Sequence, residues 1–183
     1  MRNTVLSLTI LAMAACARSS EPAASTDATQ ALLQSLEEAH KVLAESPVEE
    51  LLQLQTEVDD YYQWFYNEYK DTSKPDFWIY NLSDLQRVHK GISRAGSEPQ
   101  ELMEAIAFSQ QQLTDLRAAF EKGELDSTSF NTYLMDEEQA TEAVTQRALY
   151  RSNETRLCLE IWEKVKPSLD STRSFHTQVA PAE

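Results

Sequence analysis

From Glu124 to Lys166 the chain contains neither glycine nor proline. Across this stretch Phe130, Leu134, Thr141, Val144, Ala148, Cys158, Ile161 and Val165 recur along one helical face. Started at Asp126 or Ser127 and carried to Pro167, such a helix spans about 58 Å at 1.5 Å per residue. Ser152-Asn153-Glu154 is the best place for a break, and the chain after Arg173 reads as a frayed tail. A helix of this length must bury its stripe against neighbouring elements, and with the other segments also reading as helical the expected fold class is all-α.

The remaining breakers divide the chain into segments that agree with that reading. Leu32, Leu36, Ala39 and Leu43 fall at helical spacing. Ser46-Pro47-Val48-Glu49 then reads as a helix start, with Ser46 as cap, Pro47 in the first turn and Glu49 completing a capping box. Leu51, Leu54, Val58, Tyr61 or Tyr62, Phe65 and Tyr69 continue the stripe, predicting a helix over 47–70. One long helix kinked at Pro47 fits equally well. Asp71 to Asp76 is a breaker, and Phe77 to Tyr80 reads as irregular or helical, since a lone strand would have no partner. A short helix is expected from Ser83 to about Gly91, with Ser83 and Gln86 as its capping box. Gly96 and Pro99 punctuate next. Leu102, Ile106, Leu113, Leu116 and Phe120 mark another helix, with Gly123 as its stop. The expectation is an antiparallel helical bundle of about four to five helices, with long first and last helices that are open to kinking.

At the N-terminus, Arg2 precedes an apolar run from Val5 to Met13, then Ala14, Ala15 and Cys16. A charged start, a short apolar run and small residues are the parts of a secretory signal. The run falls short of the roughly 20 apolar residues that span a bilayer. Met13-Ala14-Ala15-Cys16 resembles the lipobox of bacterial lipoproteins, with Met13 where Leu is usual. The resemblance covers these first sixteen residues alone. It implies a signal peptide over 1–15, cleavage before Cys16 and acylation of that cysteine, with two or three chains making a stable anchor. Because Ala17 rather than Asp follows Cys16, it further implies the outer membrane, facing the periplasm. Residues 16–29, rich in Ala and Ser, read as a lipidated flexible tether. The domain expectation is therefore a bundle over 30–172 and a disordered tail over 173–183.

Composition narrows the function classes. The cysteines are Cys16 and Cys158, so a lipidated Cys16 leaves Cys158 with no partner inside the chain, and a cysteine-rich zinc site is excluded. Cys158 reads as a buried small apolar residue or a free thiol. The formal net charge of −14 disfavours nucleic acid and anionic headgroups. It means solubility or, more pointedly, a cationic partner. The three glycines, Gly91, Gly96 and Gly123, are too scattered for a phosphate-cradling loop.

Nine of the sixteen aromatic residues lie between Tyr61 and Tyr80. On the 47–70 helix Tyr61, Tyr62, Trp64, Phe65, Tyr66 and Tyr69 cover about 200° of a helical wheel, where a core stripe need only exceed about 100°. Tyr62, Trp64, Tyr66, Tyr69, Trp78 and Tyr80 are therefore the candidate binding patch, suited to stacking on a sugar, a cation or a protein. The plainer reading is that Phe77 and Trp78 fold back and the rings pack together. Glu37-x-x-His40 has the spacing of di-iron bundles but lacks the second pair and two further glutamates. Asp59-Asp60, Glu49-Glu50 and Glu137-Glu138 are adjacent carboxylates whose members point about 100° apart on a helix, so none makes a glycosidase pair by itself. Arg87, His89, Lys90 and Arg94 form a basic island, read as neutralising an acidic helix or touching a phosphate-bearing envelope component.

No catalytic signature, metal site or cofactor is expected. The leading expectation is a membrane-anchored periplasmic lipoprotein acting as a non-catalytic scaffold or accessory to an envelope protein. The alternative is a small-ligand or glycan binder using the rings of 61–80. An unrecognised enzyme would need distant carboxylates such as Asp60 and Glu137 to converge.

Overall fold

The computed structural model describes residues 21–179 apart from Thr72. The lipobox-like segment, with Cys16, lies outside the described residues. The elements in chain order are α1 (Glu21–Ala44), α2 (Val48–Gln53), α3 (Gln55–Asn67), α4 (Pro75–Phe77), a π-helical turn (Trp78–Leu82), α5 (Ser83–Ala95), α6 (Glu98–Glu121) and α7 (Ser127–Val179). All regular structure among the described residues is helical, and five helices have thirteen residues or more. The chain is an all-α helical bundle.

One helix organises it. α7 runs unbroken for 53 residues, about 80 Å at 1.5 Å per residue. Its buried positions Leu134, Thr141, Ala148, Thr155, Trp162 and Leu169 recur every seven residues, the spacing that keeps one seam facing packed partners along a long helix. Two separate cores form along that seam. The first joins α1, α6 and the first half of α7 through Leu36, Leu43, Ile106, Leu113 and Phe130. The second joins α2, α3, α5 and the second half of α7 through Val58, Phe65, Leu85, Val88 and Trp162. In the first bundle α6 runs antiparallel to α1 and α7, and in the second α5 runs antiparallel to α3 and α7. Where the cores meet, α7 carries Ser152, Thr155 and Cys158, small side chains that let neighbours come close. Ser152 Oγ donates to the Val42 carbonyl at 3.2 Å. Around this joint Arg151 ion-pairs with Glu98 and Glu154, and Arg94 reaches Glu154 at 3.3 Å.

Several ends follow the local chemistry. Asp126 caps α7, its carboxylate accepting the Ser129 N–H at 2.8 Å. α6 stops at Gly123 with φ 74°, where the Glu124 N–H bonds the Ala119 carbonyl and the Gly123 N–H bonds that of Phe120. This is the Schellman arrangement, which glycine adopts without a Cβ penalty.

Other boundaries are set differently from the sequence expectation or decide between its alternatives. Of the two readings at Pro47, the separate helices are the one observed, since the chain turns at 45–47 between α1 and α2. Pro47 occupies the cap position, and Ser46 makes no capping bond. The expected 47–70 helix is interrupted at Leu54 and ends at Asn67. Ser83 caps nothing, because the π turn leads straight into α5. α5 passes Gly91 and ends at Ala95, since Gly91 is a buried contact with α7 and not a stop. α7 has no break at Ser152-Asn153-Glu154, where Ser152 is wholly buried, and it continues through Pro167. The expected tether and tail are both too long. Residues from Glu21 are helical, with Thr29 buried, and residues 173–179 are the last turns of α7.

Candidate functional site

The aromatic-rich end of the second bundle is built by the C-terminus of α3, the loop after it, α4 with the π turn, and the last turns of α7. Val58, Tyr61 and Phe65 lie on the inward face of α3. Tyr61 meets Trp162 edge-on at 5.5 Å, and its hydroxyl donates to Asp170. Burial and that bond push the Tyr61 phenol up to about 12, because the phenolate would be both desolvated and beside a carboxylate. Arg173 holds Asp60 at 2.6 Å and lies over the rings of Tyr61 at 5.2 Å and Trp64 at 5.5 Å. Its Asp60 partner raises the guanidinium above its ordinary value.

Phe77 and Trp78 fold back, as the plainer reading expected. Phe77 is buried 5.6 Å from Phe65 and 5.5 Å from Tyr69. Trp78 Nε1 donates to the Asp71 carbonyl at 2.7 Å. His176 meets Tyr69 edge-on at 4.8 Å and lies 3.8 Å from the Asp71 carboxylate. Hydrogen bonds from the Ser73 side chain and backbone hold that carboxyl below its usual range.

The six candidate rings therefore separate. Tyr69 is buried in the core. Tyr62, Trp64 and Trp78 are half-buried. Tyr62 stacks between Tyr66 at 4.4 Å and His89 at 4.0 Å, and Tyr66 donates to the Leu82 carbonyl at 3.4 Å. Tyr80 is free in solvent at 66% exposure, beside Ile79 at 59%. The π turn places these two next to an open groove of about 570 Å³ lined by Lys74, Pro75, Asp76 and Asn81. Such turns recur at functional sites. Trp162, Arg173 and His176 were missed by the sequence reading. The seven-residue spacing through Trp162 was the available signal, and the contacts of Arg173 and His176 follow from α7 outlasting Pro167.

The polar candidates fall out differently. Asp60 sits in the second bundle and Glu137 on α7 in the first, so they do not converge. Glu137 is half-buried near Asp136, and burial raises its carboxyl. Of the basic island, His89 lies 3.3 Å from Asp59 and Arg94 pairs with Glu154, while Arg87 and Lys90 are exposed. Glu37 and His40 are exposed on α1. Among the described residues no group of three or more His, Cys, Asp or Glu side chains is placed to hold a metal ion, and no helix is long and apolar enough to cross a membrane.

A second concavity lies at the joint, between the α1–α2 and α5–α6 connections, with a volume of about 830 Å³. Leu43 and Ala95 are buried at its base, Val48, Leu52 and Met103 are half-buried along it, and Glu49 and Glu50 are exposed. No protein family, curated protein or solved structure matches the chain.

Proposed function

We propose that the protein works by binding, as a lipid-anchored accessory or scaffold of the bacterial envelope that docks another envelope protein. The N-terminal resemblance to lipoproteins supports the anchor on Cys16, at the outer membrane facing the periplasm. The observation that carries the docking role is the long shape. A single 53-residue helix serves two cores in succession, a construction that offers extended lateral surface. Large apolar side chains stand exposed along it, among them Tyr133, Tyr150, Leu157 and Phe175 on α7. Because α1 begins beside the far end of the first bundle, a tether there would hold the acidic bundle near the membrane. The aromatic-rich end would then project away from it. The exposed Ile79 and Tyr80 beside their groove favour a second reading, a small ligand or glycan held at that end.

Crosslinking of the tagged chain in its native envelope, followed by affinity recovery and mass spectrometry, tests the reading. One envelope protein in near-stoichiometric yield is expected, reduced in a Cys16→Ser chain. Equal recovery of many proteins, or none, counts against docking and moves attention to the Tyr80 groove.

A further inference from the structure

We propose that the groove at the joint is the docking site for a cationic amphipathic segment of the partner. The inference rests on the docking role above and gives it a place and a chemistry. The groove's volume of about 830 Å³ lies in the range of binding sites, about 300–1,000 Å³. Its apolar floor of Leu43, Val48, Leu52, Ala95 and Met103 calls for apolar anchors on the occupant. Met103, unbranched and flexible, adapts to such a surface.

The charge of the occupant follows from the rim and from the bundle below it. Glu49 and Glu50 line the groove, and no Lys or Arg does. The segments 21–45 and 98–150, which build the first bundle, hold sixteen carboxylates against four Lys and Arg. The segments 46–97 and 151–179, which build the second, hold thirteen against ten. The acidic field is therefore concentrated on one side of the groove, and a basic segment is steered to it. Pro47 and Pro99 in the wall lack an N–H, so strand-like pairing is disfavoured and the occupant engages through side chains, as a helix does. Ser46 also lines the groove, and its buried hydroxyl has no hydrogen-bond partner among the described residues.

The test uses the full-length chain and two fluorescein-labelled amphipathic peptides, one of Leu and Lys and one of Leu and Glu, read by fluorescence anisotropy. Saturable binding of the Leu/Lys peptide alone is expected. Met103→Lys should weaken it about tenfold, while Met135→Lys, the same charge change at an exposed position on α7, should change it less than about twofold. Glu49→Gln with Glu50→Gln, both at exposed positions, should weaken it about threefold and flatten its salt dependence. This pair keeps the test independent of any folding defect in Met103→Lys. Equal losses from Met103→Lys and Met135→Lys would overturn the proposal, as would equal binding of the Leu/Glu peptide or an unchanged affinity in the double glutamine chain. Repeating the envelope crosslinking with Met103→Lys separates the two levels. A partner lost from that chain but kept by Met135→Lys supports the groove. A partner kept by Met103→Lys overturns the groove and leaves docking standing. No partner even from the unmodified chain counts against docking itself, whatever the peptides do.

Discussion

Gly91 lies mid-helix in α5, where a Cβ would fall 2.4 Å from Cys158 Sγ on α7. Glycine costs about 1 kcal/mol against alanine inside a helix, so its presence here reflects close approach of two helices and not helix termination. Cys158 is wholly buried and unpaired, and burial pushes its thiol up, which makes it a packing residue and a poor nucleophile in the folded chain. Gly91→Ala should gain the helix term but force overpacking that costs about 1–3 kcal/mol. The expected net effect is a lower Tm. In a Cys158→Ala background the obstructing sulfur is gone, and the same change should become neutral or stabilising by up to about 1 kcal/mol. Thermal melts of the four chains complete the cycle. A Tm that rises on Gly91→Ala alone would show that the two helices separate freely there.

At the scale of the element, α7 tolerates Pro167 because packing on both sides holds it. Pro167 is exposed, while Val165 and Leu169 on either side of it are buried. The N–H hydrogen bond it cannot donate to the Glu163 carbonyl is lost on a face open to water. Beyond it, Arg173 is tied to Asp60 and His176 lies against Tyr69, so the last turns are fixed by tertiary contacts. Pro167→Ala restores the missing bond and should stabilise the fold by about 1–3 kcal/mol, read as a higher midpoint in denaturant. No gain would mean that the helix accommodates the proline ring without cost.

At the scale of the molecule, the question is whether two cores on one helix unfold as one. All three tryptophans, Trp64, Trp78 and Trp162, pack with the second core, so their fluorescence reports that bundle alone. Phe130 is fully buried in the first core, 4.3 Å from Phe120. Phe130→Ala should cost about 3–5 kcal/mol there. Because α7 is shared and the ion pairs of Arg151 bind the joint, the tryptophan transition should fall together with the far-UV circular dichroism. A tryptophan transition that stays in place while part of the helix signal melts early would make the bundles independent units.

The helices and most of their inward faces were legible from local pattern alone. Apolar spacing marked Leu36, Val58, Ile106 and Phe130, and Gly123 and Asp126 marked the turn into α7, because periodicity and capping are local properties of the chain. Where helices continue was set by long-range packing. Gly91, Pro167 and Ser152-Asn153-Glu154 all read as interruptions, and each is carried by contacts with residues distant in sequence. The same packing also decided how the candidate rings divide. Tyr69 and Tyr80 look alike along the chain, yet one closes the core and the other stands in water, since that choice depends on the fold-back of Phe77 and Trp78. The groove at the joint was likewise invisible, because Leu43, Leu52, Ala95 and Met103 meet only when the two connections are brought side by side over α7.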